Sequence, residues 1–173
     1  MSERATVIEP STVRFERLLP GPVERVWAYL VESAKRATWL AAGEFDLRLG
    51  GRIELHFRND TLSDEAPPAG TGAGGVRSFE GTITRLEPLR VLGHTWNWEG
   101  KASEVLYELT PRGAEVLLTI HHRLPDDRGL KLAVAGGWVV HSGILADQLN
   151  GVKPRPFYST HARLMKEHEE ALR

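Results

Sequence analysis

Cysteine is absent from all 173 residues, and with it disulfides, thiolate metal sites and a cysteine nucleophile. Excess charge is absent as well. The 22 Lys plus Arg stand against 23 Asp plus Glu, a net charge of -1 with no block of one sign, so nucleic acid is not an expected partner. No apolar run reaches the roughly 18 residues of a membrane span, and Met1 to Pro10 has no apolar centre of a secretion signal. There is no internal repeat, low-complexity tract or break in composition. Gly70-Thr71-Gly72-Ala73-Gly74-Gly75 is rich in glycine but lacks the Lys-Ser/Thr ending of a phosphate-cradling loop. These absences leave the expectation of one soluble, cytoplasmic domain, long enough to bury a core and enclose a cavity.

The periodicity of what is present changes in an orderly way. Val13, Phe15 and Leu19 alternate in a strand expected over Thr12 to Leu19, which Pro20-Gly21-Pro22 breaks. Val23, Val26, Trp27 and Leu30 then recur at helical spacing, predicting an amphipathic helix from Pro22 to Val31. Ser33 is suited to cap a short helix reaching about Trp39. From Glu44 the period becomes two. Phe45, Leu47 and Leu49 alternate with polar residues, Gly50-Gly51 makes a tight turn, and Ile53, Leu55 and Phe57 complete a hairpin. Asn59 to Gly75 reads as a mobile loop. Further strands are marked by Phe79, Gly81 and Ile83, by Leu92, His94 and Trp96, by Val105, Tyr107 and Leu109, and by Val116, Leu118, Ile120 and His122.

A long helix is predicted over Leu130 to Leu149, with Val134, Trp138, Leu145 and Leu149 on one face and His141 and Ser142 between them. After a connector from Asn150 to Pro156, Leu164, Met165, His168 and Leu172 suggest a last short helix from Ser159. Strands joined by short turns imply an antiparallel sheet with one solvated face. Glu44, Asp46, Arg48, Arg52, Glu54, His56, Glu104 and Glu108 would form that polar face, and the long helix would cover the other.

Parity on the strands places Phe45, Leu47, Leu55, Phe57, Phe79, Ile83, Leu92, Trp96, Val105, Tyr107, Leu118 and Ile120 beneath the helix, with His94 and His122 among them and Trp98 at the rim. Apolar walls with a few placed polar groups are the usual make-up of a ligand pocket. The expected ligand-binding residues are Phe57, Phe79, Gly81, His94, Trp96, Tyr107, Ile120 and His122 from the sheet, and Trp138, His141, Ser142 and Leu145 from the helix. No residue is assigned a catalytic role. His94, His122 and Tyr107 are the candidates for acid–base chemistry, because histidine titrates near neutral pH. No metal and no cofactor is expected, since no His-x-x-x-His or His-x-Glu pair lies on one element and His121-His122 face opposite sides of a strand. His161 and His168 stand on the tail helix, which is not counted as part of the cavity.

Several local sequences, in this order, resemble the START-like or SRPBCC superfamily. They are Pro22-Val23-Glu24-Arg25-Val26-Trp27, Leu49-Gly50-Gly51-Arg52, Phe79-Glu80-Gly81 leading to Glu87-Pro88, Thr95-Trp96, and Gly137-Trp138 with Leu145. The similarity is closest to the branch named for the activator of the ninety-kilodalton heat-shock protein's ATPase. It implies an α+β helix-grip fold over residues 11–150, a curved antiparallel sheet of six to seven strands wrapped around the long C-terminal helix. Residues 151–173 would be a helical extension. It also implies an apolar cavity, because members of this superfamily bind lipids, hormones or polyketides, and some act as cyclases or chaperone partners. Relatives often carry leucine where Ser142 stands, which implies a wetter pocket here. Three functions follow as expectations. The chain binds a small hydrophobic or aromatic molecule, or it is a cyclase or lyase on a polyketide-like substrate, or it is an interaction module meeting a chaperone or a second copy of itself.

Overall fold

The computed structural model describes residues 6–9, 11–70, 74–98 and 100–171. Its elements are β1 (Thr6–Glu9), β2 (Thr12–Pro20), α1 (Val23–Val31), α2 (Ser33–Arg36), β3 (Arg52–Phe57), β4 (Arg77–Glu87), β5 (Val91–Trp98), β6 (Lys101–Arg112), β7 (Glu115–Arg123), α3 (Arg128–Leu149) and α4 (Phe157–Ala171). The strands form one seven-stranded sheet in the order β1-β2-β7-β6-β5-β4-β3, and every neighbouring pair is antiparallel. This is the expected helix-grip architecture. The meander β3 to β7 runs in sequence order, and β2 closes the far side against β7. An irregularity between Ile83 and Arg85 interrupts the β4–β5 ladder, a device that bends a sheet locally.

Alternation along the strands divides the two faces. Leu55, Ile83, Leu92, Val105, Leu118 and Ile120 are buried on the inner face with Phe15 and Leu19 of β2. On the outer face Arg52 meets Glu80 at 2.5 Å and Glu54 at 3.0 Å, and Arg123 meets Glu104 at 3.4 Å. These exposed cross-strand pairs contribute little to stability but keep that face solvated. α3 lies across the inner face, with Val134, Trp138, Val140, Ile144 and Leu145 buried. Asp127 caps its N-terminus, accepting a hydrogen bond from the Leu130 N–H at 3.0 Å. Arg25 of α1 donates to the Leu149 carbonyl at the other end, at 2.8 Å. By length and composition α3 is apolar enough to cross a membrane, although its sequence holds no unbroken apolar run of that length, and the fold buries most of it.

Four expectations need correction. Residues 44–49 are not a strand. The segment meets β3 at the isolated bridge Phe45–Ile53, flanked by the Asp46 N–H to Arg52 carbonyl and Glu54 N–H to Glu44 carbonyl bonds, with a second bridge, Ala42–His56, just before it. Arg48 N–H turns back to the Asp46 carbonyl and Gly51 N–H to that of Arg48, so local turns replace the ladder. Leu47 and Leu49 are consequently 44% and 66% exposed, and Leu47 does not lie beneath α3. Ser33 does not cap α2, which ends at Arg36; its hydroxyl accepts from the Gly43 N–H instead. The loop after β3 is anchored in its first half, with a 3-10 turn at Asn59–Thr61 and a buried Leu62. Finally, α4 starts at Phe157 and packs on α3. Leu172, Thr71 to Ala73 and the side chain of Trp98 lie outside the described residues.

The connector after α1 is organised by Arg36, which is 1% exposed. Its guanidinium donates to the carbonyls of Leu30, Val31, Ala41 and Gly43 and lies 3.7 Å from the Phe45 ring centroid. Burial lowers its pKa to about 10, so the group keeps its charge at neutral pH.

Candidate functional site

A cavity of about 550 Å³ opens between the sheet, α3 and α4. The sheet contributes Phe57, Arg77, Phe79, Trp96 and His122, and α3 contributes Ala133, Val134, Gly137, Trp138 and His141. Leu40, Asn59 and Gly74 come from connecting segments, and α4 supplies Phe157, Tyr158 and His161. Ring contacts dominate the wall. Phe57 stacks on Trp96 with centroids 5.4 Å apart, Trp96 stacks on His122 at 5.4 Å, and Trp138 meets Trp96 edge-on at 6.0 Å. Across the opening, His141 lies 5.1 Å from Phe157, which is parallel to His161 at 6.0 Å.

Of the residues expected at a pocket, Phe57, Phe79, Trp96, His122, Trp138 and His141 line this cavity. Gly81, His94, Tyr107, Ile120, Ser142 and Leu145 do not. Gly81 has the right parity but no space, because a Cβ there would sit 1.9 Å from the Thr95 carbonyl oxygen. His94, Tyr107, Ile120 and Leu145 are buried in the core and take no part in the cavity wall. Ser142 points away to β2, where its hydroxyl accepts from Arg17 Nε at 3.0 Å and donates to the Val139 carbonyl. The wetter pocket inferred from Ser142 is therefore not found at that position.

The histidines differ in what they leave available. His94 donates from Nδ1 to the Thr95 carbonyl at 2.9 Å and accepts at Nε2 from the Tyr107 hydroxyl at 3.1 Å. His122 accepts at Nδ1 from Trp138 Nε1 at 3.0 Å, so its proton sits on Nε2, which donates to Ser103 Oγ at 3.1 Å. Ser103 passes the chain on to the Trp96 carbonyl at 2.5 Å. Burial lowers the pKa of His94 to about 4 and that of His122 to about 3, and raises that of Tyr107 above the ordinary phenol value. With both ring nitrogens engaged and both rings neutral, these three candidates for acid–base work form a structural network.

His141 is different. Its Nδ1 donates to the Trp39 carbonyl at 2.8 Å, and burial lowers its pKa to about 4. Burial also lowers the pKa of His161. Among the described residues no three His, Asp or Glu side chains gather as metal ligands would.

The expectation that the tail stands apart from the cavity is overturned by α4. Arg155 forms a two-pronged ion pair with Asp147 at 2.8 and 3.0 Å, fixing the connector. The N–H groups of Phe157 and Ser159 then donate to Ser63 Oγ and Glu65 Oε1, at 3.0 and 2.8 Å. One aromatic wall of the cavity is held in this way. The sequence carries a signal for it in Phe157-Tyr158-Ser159-Thr160-His161, three rings at helical spacing directly after a Gly/Pro connector.

Residues 20–150 match the family described as Activator of Hsp90 ATPase homolog 1-like protein. The chain belongs to that family. Among solved structures, it resembles the Bordetella parapertussis protein encoded by BPP1335, with 42% identity and a TM-score of 0.81 over 95% of this chain and 87% of that one. CalU16 from Micromonospora echinospora is 26% identical, with a TM-score of 0.68 over 92% and 84% of the two chains. DynU16, from the dynemicin biosynthetic locus, shares the fold at 22% identity and a TM-score of 0.66, covering 83% of this chain and 49% of its own. No curated protein matches the chain.

Proposed function

We propose that this protein binds a small, flat, largely aromatic molecule between its sheet and its two C-terminal helices. The observation that carries this reading is the roughly 550 Å³ cavity walled by stacked and edge-on rings. Its volume falls within the range of about 300–1,000 Å³ typical of ligand pockets, and ring faces and edges favour aromatic guests. DynU16 belongs to a biosynthetic locus, which supports a ligand of natural-product character. The cyclase reading is weaker, because the ring nitrogens of His94 and His122 are already hydrogen-bonded within the protein.

Gly137 supplies the test. It lines the cavity, and a Cβ built there meets nothing within 4 Å. Gly137→Leu projects a side chain into the empty space, whereas Gly81→Phe would collide with backbone. An environment-sensitive apolar dye is expected to bind wild-type protein one to one, and the Gly137→Leu variant to fold normally and lose that binding. Equal binding by both would remove the internal site. Native mass spectrometry of protein from its own host then separates the readings. A retained small molecule supports binding, whereas an empty cavity with a co-purifying chaperone, or a dimer, supports an interaction module.

A further inference from the structure

The cavity wall is mainly apolar, with a polar minority to which Asn59, Arg77, His122, His141, Tyr158 and His161 contribute. His141 is anchored by Trp39. A carbonyl can only accept, so the proton is on Nδ1 and Nε2 carries a lone pair. Nε2 makes no hydrogen bond among the described residues. Asn59 also lines the cavity, and its Oδ1 is buried without a hydrogen-bond partner among those residues. The amide of Asn59 can turn over and offer its NH2 group instead. The imidazole cannot do the equivalent while Trp39 holds it.

We infer that His141 Nε2 is a specificity-determining acceptor that selects, among aromatic guests, those bearing a hydroxyl or ring N–H donor. This rests on the aromatic-ligand reading above and names the chemistry of that ligand more closely. A guest that fills the cavity removes water from Nε2. If it brings no donor, a buried acceptor is left unpaired, which costs more than a hydrogen bond gains. A phenol satisfies the acceptor while its ring occupies the space beside Phe57 and Phe157, both within ring-contact distance of His141. The proton stays on the guest oxygen, and no bond is made or broken. Burial keeps His141 neutral at pH 7, so the lone pair is available.

Two probes of nearly the same shape test this, 2-naphthol and its methyl ether. Wild-type protein is expected to prefer the naphthol by about 10-fold, the equivalent of one buried hydrogen bond. His141→Asn keeps a donor for the Trp39 carbonyl but has no atom at the Nε2 position. It is expected to bind the two probes about equally, with the ether's affinity little changed and thermal unfolding near that of wild type. Long-range nitrogen–proton NMR gives a second readout that does not depend on the variant folding. The His141 Nε2 resonance should shift on addition of naphthol and not on addition of the ether. If neither probe binds, the cavity reading itself is overturned. Binding of both with equal affinity and no Nε2 shift overturns only the selection by His141, as does a preference that persists in a folded His141→Asn protein.

Discussion

The indole of Trp138 donates to Nδ1 of His122 at 3.0 Å, and this one bond decides which tautomer of the histidine exists. It couples α3 to β7, and through Ser103 and the Trp96 carbonyl it reaches β6 and β5. Each donor in the chain has a single direction. The grip of helix on sheet is thereby specified by polar contacts as well as by packing.

Trp138→Phe keeps an aromatic ring in place but leaves Nδ1 of His122 without its donor. The expected cost is about 1–3 kcal/mol for the orphaned acceptor, read as a lower urea midpoint with an unchanged slope. NMR of the wild-type protein should show His122 wholly in the Nε2–H form. A mixture of tautomers there would contradict the bond.

Acid should unfold this protein early. Burial depresses the pKa of His94, His122 and His141 to about 4, 3 and 4 in the folded state, below an unfolded value of about 6.5. The unfolded chain therefore takes up more protons at any pH between those limits. Stability is fully present above about pH 6.5 and falls as pH drops toward 4, by about 1.4 kcal/mol per pH unit for each histidine. Urea midpoints should be flat from pH 7 to 8 and fall steeply below 6, and His94→Gln should flatten the slope. A constant midpoint down to pH 5 would show that these rings are not buried neutral.

Arg36→Lys tests how the α1–α2 connector is held. Lysine keeps the charge but has neither the planar fork that reaches Leu30, Val31, Ala41 and Gly43 nor the flat face that lies on Phe45. At least two carbonyls would be stranded, for an expected loss of about 3–5 kcal/mol in thermal or urea unfolding. A loss under about 1 kcal/mol would mean that solvent replaces the guanidinium at this position.

The wall formed by α4 should loosen independently of the sheet. Replacing both Ser63 and Glu65 by Ala removes the acceptors of the Phe157 and Ser159 N–H groups. Amide exchange is expected to quicken at residues 157–161 and dye exchange to accelerate, while β6 and β7 stay protected. Uniform acceleration across the sheet would instead show that α4 and the sheet open as one unit.

The sequence made some of this legible and not the rest, for identifiable reasons. Strand parity alone puts Phe57, Trp96 and His122 on one face, and the structure has them there because a pleated strand permits no other arrangement. Parity carries no information about distance, however. Gly81 shares the face of Phe79, yet it lies beneath the Thr95 carbonyl. Leu47 kept the alternation but lost its strand to turns between Asp46, Arg48 and Gly51, which short-range hydrogen bonds made and hydrophobic pattern could not foresee. The helical wheel puts Ser142 on the sheet side, where a buried Arg17 on β2 claims its hydroxyl. The place of His161 is not legible in the sequence because it depends on docking between two distant segments, the loop at 63–65 and the start of α4.

That docking has a consequence for inheritance of function within the family. Phe157, Tyr158 and His161 lie beyond residue 150, where the family match ends. Two relatives can therefore both match the family over the gripping sheet and its long helix and still differ in the aromatic wall that α4 adds to the cavity. Guest identity should track the tail and the loop that fastens it. A ligand found for one member is expected in another only when both of those segments match as well.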